Sequence, residues 1–329
     1  MSKNTKYFAA AFLLSMPLWA GLNLFSQNLE NTFFLSALSS HPEVLAAQTS
    51  QWELQKILLQ EKLRRDNSVP FADILAKAAF SLYVDERGRT KILYAKNQDQ
   101  PLPIASLSKL MTGYVVTKYF PPQEILTVTK EAIAKEENTG DFRVGEKFFV
   151  KDLLHSLLIE SSNDAAAALA LSWGRETFLN TMNDETASLG LKETFFADEA
   201  GVDPNTPEAN INAASAKALS ELPRHILTNA PEVFEILGLS AYRLSTSQGT
   251  FHHTVKTTND LLISNGWPAK VLGGKTGWTP LAQGCLLLIL EAPNQNGYVI
   301  NVILGAEDRF GQMKNLVDWT FKAYEWKPL

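Results

Sequence analysis

The chain has 329 residues, 45% of them apolar and 20% charged, with a formal net charge of −5. This is the make-up of an ordinary globular protein of one large or two small domains, and it excludes the basic footprint of a nucleic-acid-binding protein. Cys285 is the only cysteine, which excludes an intrachain disulfide scaffold.

Lys3 and Lys6 precede an apolar run from Tyr7 to Phe25, broken lightly by Ser15, Pro17 and Asn23, and Glu30 is the first acid. The 19 residues of this run reach the roughly 17–25 needed to cross a hydrocarbon core. The lysine flank predicts the N-terminus in the cytoplasm and the remainder outside. A cleaved signal peptide and a retained anchor both fit. The small-residue site ending at Ala20 has bulky Leu18 and Trp19 before it, which favours the anchor. Residues 1–25 are therefore expected to be a signal-anchor helix, 26–69 a tether and helical stalk, and 70–329 one folded domain. In the stalk, Ser50-Gln51-Trp52-Glu53 is a capping-box pattern. It predicts a helix that closes on Arg64 and Arg65, where the dipole favours cations, before Asn67 and Pro70.

From Ala78 the period changes. Ala79–Val84 and Lys91–Ala95, joined by Asp85-Glu86-Arg87-Gly88, read as a β-hairpin. Pro101 and Pro103 then stop the chain, and a helix is predicted to follow, with Leu107, Leu110 and Met111 apolar. Further helices are predicted over Lys151–Glu160, Asp164–Trp173, Glu176–Leu189 and Ala213–Leu222. Strands are predicted over Ala269–Trp278, Gly284–Glu291 and Tyr298–Gly305, with a last helix from Phe310 to Tyr324. Strands at both ends with helices between predict an α/β (α+β) fold. One antiparallel sheet would be assembled from the two chain ends, with helices on its faces and a helical subdomain between.

Three short motifs carry chemistry. Ser106 is predicted in the first turn of its helix, with Lys109 three residues later on the same face. A serine hydroxyl becomes a nucleophile only when a base takes its proton. A lysine is that base only when uncharged, which burial or a cationic neighbour favours. The first turn also aims free backbone N–H groups at charge developing near Ser106. Ser161-Ser162-Asn163 lies in a break between two helices, where polar side chains can face a cleft or simply cap a helix. Gly273-Gly274-Lys275-Thr276-Gly277 reads as an exposed strand end whose glycines admit a ligand to the backbone. It is not a phosphate-binding loop, because the first glycine that motif requires is replaced by Ala269 and Pro280 opposes the following helix.

Ser-x-x-Lys, Ser-x-Asn and Lys-Thr-Gly in this order form the motif set of penicillin-binding serine enzymes and class A β-lactamases. From about residue 70 onward the chain resembles the D-alanyl-D-alanine carboxypeptidases, the low-molecular-weight penicillin-binding serine peptidases. The resemblance rests on Pro103–Thr112, Ser161–Ala166, Met182-Asn183, Leu189-Gly190-Leu191, Thr258–Leu262, Gly274–Thr279 and Gly284-Cys285-Leu286. It implies a β-lactamase/transpeptidase-like fold for the 70–329 catalytic domain. Many relatives continue into a C-terminal β-domain and an amphipathic membrane helix, whereas this sequence stops at Leu329, so membrane attachment is expected through Tyr7–Phe25. The family's usual Ser-Gly-Asn is Ser161-Ser162-Asn163 here, at a middle position that is not expected to do chemistry.

The resemblance further implies an extracytoplasmic enzyme acting on peptidoglycan stem peptides that end in D-Ala-D-Ala, inhibited by β-lactam antibiotics. It implies no cofactor, no metal and no nucleic-acid partner. Ser106 would attack, Lys109 would take its proton, and Ser161 would relay a proton to the leaving D-alanine. Asn163 would orient the acyl-side amide. Lys275 and Thr276 would receive the terminal carboxylate, next to Gly277, and the N–H groups of Ser106 and Trp278 would form the oxyanion hole. Arg309 matches a family arginine and would add a second cation, unless it is an ordinary surface residue. A DD-endopeptidase would use the same residues. A β-lactamase would need a deacylating glutamate, and Glu176 sits inside a predicted helix, where it reads as solvated. A catalytically silent penicillin-binding sensor is disfavoured because every nominal catalytic residue is present. His252-His253 lacks metal-binding spacing and an acid close by in sequence, and Cys285 reads as a small core residue.

Overall fold

A computed structural model describes residues 63–134, 140–206 and 208–326. The apolar run Tyr7–Phe25, the tether and the stalk up to residue 62 lie outside the described residues. Among the described residues, no helix is long and apolar enough to cross a membrane.

The sheet is assembled from the two ends of the described chain. Strands β1 (Ala76–Val84) and β2 (Thr90–Lys96) form the expected hairpin, and β3 (Val271–Thr279), β4 (Gln283–Glu291) and β5 (Tyr298–Ala306) form a meander. The order across the sheet is β3-β4-β5-β1-β2, and every pair is antiparallel. The hairpin turn is fixed by Asp85, whose Oδ1 accepts from the backbone N–H of Arg87 and Arg89 at 3.0 and 2.8 Å. Both faces of the sheet are covered, so β4 can be apolar without alternation: Cys285 to Leu290 are all buried.

The helices are α1 (Lys109–Tyr119), α2 (Val150–Ile159), α3 (Asn163–Trp173), α4 (Arg175–Ser188), α5 (Ala216–Asn229), α6 (Pro231–Leu237), α7 (Asp260–Ile263) and α8 (Arg309–Lys322). Helix α8 packs across β5, β4 and β1, and α5 packs on β5 and β1. Helix α1 lies in the middle of the helical region, touching α2, α3, α4, α5 and α6. Its residues Lys109–Val116 are all buried, so this part of the helix has no solvent-facing side. The main apolar core runs from α1 to the inner face of β1, β4 and β5.

Three expectations need correction. Leu63–Arg65 is not the end of a helix but a short strand paired antiparallel with Tyr324–Trp326, so the compact unit begins at Leu63. The last helix accordingly stops at Lys322, two residues short of Tyr324. Side-chain contacts hold this pair: the Tyr83 and Trp326 rings meet edge to face at 5.5 Å, and Tyr324 Oη donates to the Leu93 carbonyl at 2.7 Å. Helix α5 runs on through Pro223 to Asn229 rather than ending near Leu222. The proline removes one intrahelical donor, but Leu219, Leu222 and Ile226 continue one buried stripe and keep the helix together.

Leu110 is completely buried at the centre of this arrangement. Leu110→Ala is expected to destabilise the protein by about 2–5 kcal/mol, read as a lower urea midpoint with an unchanged slope.

Candidate active site

Ser106 sits in a 3-10 turn, Ala105–Ser108, that leads directly into α1 at Lys109. The sequence reading put it in the first α-turn. The tighter turn matters, because side chains three residues apart eclipse in a 3-10 helix. Lys109 Nζ consequently lies 3.0 Å from Ser106 Oγ. The same Nζ donates to Asn163 Oδ1 and to the Ala200 carbonyl, both at 2.7 Å. Lys109 is fully buried.

The second motif forms the facing wall. Ser161 follows the end of α2 with a φ of 67°, the left-handed region that non-glycine residues seldom occupy. Ser162 Oγ accepts from Ala165 N at 3.1 Å and caps α3, which gives the departure from the usual glycine a structural role. Asn163 opens α3 and turns its side chain to Lys109.

The third motif lies on β3, at the edge of the sheet. Lys275 Nζ donates to Ser161 Oγ at 2.8 Å and to the Thr276 carbonyl at 3.1 Å. Thr276 Oγ1 is 2.6 Å from Thr258 Oγ1. Lys275 is 1% exposed and Trp278 52%. Burial, with the charges of Lys109 and Arg309 nearby, holds Lys275 well below the usual lysine range. The glycines here do not open the strand to solvent as expected. A Cβ on Gly274 would lie 2.6 Å from the Leu287 carbonyl oxygen, so that glycine admits the neighbouring strand. Gly277 is the one that faces the nucleophile: a Cβ there would come within 3.0 Å of Ser106 N. Arg309 is half-buried, not a free surface cation. Its Nη1 donates to the Gly277 carbonyl at 2.9 Å, bracing β3 from α8.

The structure thus brings Ser106, Lys109, Ser161, Asn163, Lys275, Thr276, Gly277 and Arg309 to one place. Sequence reasoning missed the loop that closes it. Asp198 Oδ1 accepts from Ala200 N and Gly201 N, both at 2.7 Å, and so aims the Ala200 carbonyl at Lys109. Arg175 braces this loop through Asp198 at 2.6 Å and Glu199 at 2.8 Å. Asn212 Nδ2 ties Ser108 Oγ to the Asp198 carbonyl. Gly201, at φ +81°, has no room for a side chain, since a Cβ would fall 2.0 Å from the Ala105 carbonyl oxygen. The Asp-x-x-Gly spacing was the available signal, but it is common in loops. Glu176 lies exposed on α4, and Cys285 is buried in β4 with its thiol pushed up to about 11.

The family model of D-alanyl-D-alanine carboxypeptidases matches residues 66–308. The chain belongs to this family. It is 29% identical over 272 residues to the D-alanyl-D-alanine carboxypeptidase DacF of Bacillus subtilis, an alignment covering 78% of this chain and 65% of the relative. It is 30% identical to a D-alanyl-D-alanine endopeptidase of Pseudomonas aeruginosa, covering 74% and 75%. The fold is that of the penicillin-binding serine enzymes. Penicillin-binding protein D2 of Listeria monocytogenes, solved in a cefotaxime-bound form, aligns with a TM-score of 0.65 and 28% identity over 77% of this chain and 99% of that one. The chain spans 59–65% of the length of the curated carboxypeptidases DacF, DacD and DacC.

Asp164 gives this family member a pH signature. It is fully buried in the first turn of α3, neither carboxylate oxygen has a hydrogen-bond partner among the described residues, and burial pushes its pKa up to about 6. Between the ordinary carboxylate value and about 6, the folded chain holds a proton that the unfolded chain has released. The carboxyl therefore stabilises the fold at low pH, and that contribution is lost as pH rises through about 6. Relative to Asp164→Asn, wild type is expected to lose roughly 2–3 kcal/mol between about pH 4 and pH 8, measured by urea denaturation of both proteins. Equal pH dependence in the two would refute this.

Proposed function

We propose that the protein is a serine-type D-alanyl-D-alanine carboxypeptidase that removes the terminal D-alanine from peptidoglycan stem peptides through a Ser106 acyl-enzyme. The observation that carries this reading is the convergence of two buried lysines on two serines: Lys109 on Ser106 at 3.0 Å and Lys275 on Ser161 at 2.8 Å. A nucleophile within hydrogen-bond reach of a buried amine is the geometry that nucleophilic catalysis requires.

The substrate's terminal carboxylate binds at Lys275 and Thr276. An arriving anion favours the charged form of Lys275, and a cation there favours the free amine of Lys109. Lys109 takes the Ser106 proton as Oγ attacks the penultimate carbonyl. The N–H groups of Ser106 and Trp278 hold the resulting oxyanion, where one donor is typically worth about 2.7–4 kcal/mol. Asn163 orients the acyl-side amide. Ser161, bonded to Lys275, relays that proton from Lys109 to the departing amine as the C–N bond breaks, which returns Lys109 to the free amine. Water then releases the acyl group. Gly277 keeps β3 close to Ser106, and Arg309 braces it. β-Lactams acylate the same serine. With Glu176 exposed on α4, no glutamate is assigned to deacylation, which separates the reading from a β-lactamase. The catalytic domain, expected from residue 70 onward, begins instead at Leu63; it lies outside the cytoplasm and is tethered through Tyr7–Phe25. A DD-endopeptidase is the second reading, favoured by the Pseudomonas relative of that name.

The test is D-alanine release from a diacetylated tripeptide ending in L-Lys-D-Ala-D-Ala. Wild type is expected to release D-alanine, Ser106→Ala to abolish release with the fold intact, and Lys109→Ala to lower it by about 10²–10⁴-fold. Glu176→Ala should stay within about 0.5 kcal/mol of wild type in stability and keep its rate. No release from such peptides, with cleavage of a cross-linked peptide dimer, would replace the carboxypeptidase reading by the endopeptidase one.

A further inference from the structure

One cluster of titratable groups takes no part in the chemistry above. His252 and His253 are consecutive on the strand Phe251–Lys256, where neighbouring side chains ordinarily face opposite ways. Their rings nevertheless meet, with the two Nδ1 atoms 2.6 Å apart. Each outer nitrogen reaches a carboxylate: His252 Nε2 is 3.1 Å from Glu146 Oε2, and His253 Nε2 is 3.0 Å from Glu160 Oε2. The sequence reading found no acid near these histidines; the fold supplies two from distant positions. The side chains are largely shielded, at 10% and 21% exposure for the histidines and 23% and 16% for the acids. The Nδ1 atoms face each other rather than a common point. Among the described residues, no group of three or more such ligands is placed to hold a metal.

Counting protons shows what this chain of groups needs. Its three contacts each require one hydrogen, and a neutral imidazole carries only one. Two neutral rings therefore leave one contact without a hydrogen. The complete chain holds one further proton, so the ring pair carries a positive charge between two carboxylates. When that proton leaves, a lone pair faces a lone pair and one link opens.

The chain ends beside the proposed proton relay. Glu160 immediately precedes Ser161, whose φ of 67° must be held by its surroundings. The Glu160 carboxylate also accepts from Ser156 Oγ at 2.6 Å. At the far end, Glu146 Oε2 accepts from Arg143 N at 2.9 Å. The same loop stacks Phe142 on the His252 ring at 5.6 Å. It also brings Gly140 so close that a Cβ there would lie 2.7 Å from Ser162 Oγ. Glu160 is thus part of the cluster, and the loop that carries Glu146 passes close beside Ser162. Other charged groups on the packed elements are engaged elsewhere. Asp152 accepts from Tyr242 beside His155, farther back along α2, and Arg243 lies over Phe251. Leu244 stands opposite His253, and Arg143 and Lys147 are exposed.

We propose that Glu146, His252, His253 and Glu160 form one proton-holding clamp that positions Ser161, with His253 and Glu160 as positioning residues of the reaction. The inference rests on the carboxypeptidase reading. It is tested on the full chain in detergent by imidazole ¹⁵N and serine ¹³C NMR at one fixed pH, alongside D-alanine release. A ¹⁵N–¹⁵N coupling through one hydrogen shared by the two Nδ1 atoms is expected. The Ser161 ¹³Cβ signal, assigned with Ser161→Ala, should shift in His253→Gln, and kcat should fall about tenfold there with little change in KM. Glu160→Gln, which keeps an acceptor for the imidazole, should retain more activity than Glu160→Ala. Absence of the coupling overturns the proposal, as does a Ser161 signal that His253→Gln does not move. If wild type releases no D-alanine, the activity reading fails, while the NMR signals still decide the clamp.

Discussion

Two lysine side chains are taken out of water in one cleft, and the structure around them supplies what water would have given. An ammonium group has three donors, and leaving them unmet in a buried site is costly. Lys109 finds Ser106, Asn163 and the Ala200 carbonyl; Lys275 finds Ser161 and the Thr276 carbonyl. These acceptors come from a 3-10 turn, two loops, a helix N-terminus and an edge strand. None of those elements can shift without orphaning a buried amine. The sheet, α1 and α3 are accordingly fixed relative to one another by polar contacts as well as by the apolar core.

The same requirement explains where the backbone is unusual. Ala105 and Ser161 both have left-handed φ, at 48° and 67°, and both lie at the serines on which the lysines converge. Such conformations persist only where the surroundings over-determine them. Around Ala105 that work is shared by Gly201, which leaves room for its carbonyl, and by Ser108 Oγ, which donates to that carbonyl at 2.7 Å. Arg175, Asp198, Glu199 and Asn212 then hold the loop that carries Gly201 and Ala200. The site is built outward from two strained residues through charge-assisted hydrogen bonds.

Much of this was legible in the sequence, for a physical reason. The strands β1–β5 and the helices around α1 are long enough to show a period, and two of the three motifs pair a serine with a lysine or asparagine at spacings that chemistry demands. What escaped has no such signature. The Leu63–Arg65 and Tyr324–Trp326 strands are three residues each and depend on partners more than 250 positions apart. The helical period survives Pro223 because burial outweighs the lost donor. Glycines at 273 and 274 look like an opening in the chain but are filled by protein neighbours. The Asp198–Gly201 loop and the Glu146–His252–His253–Glu160 chain bring together residues that are ordinary in their local context. Only tertiary structure gives them meaning.

On the proposed mechanism one activated serine, Ser106, stands at the centre of the fold. The most direct test is to incubate the full chain with a fluorescent penicillin, digest it, and locate the adduct by mass. A single adduct on the peptide containing Ser106, surviving long after free drug is removed, is the predicted result. An adduct on another residue, or penicillin consumed catalytically with no adduct trapped, would contradict it.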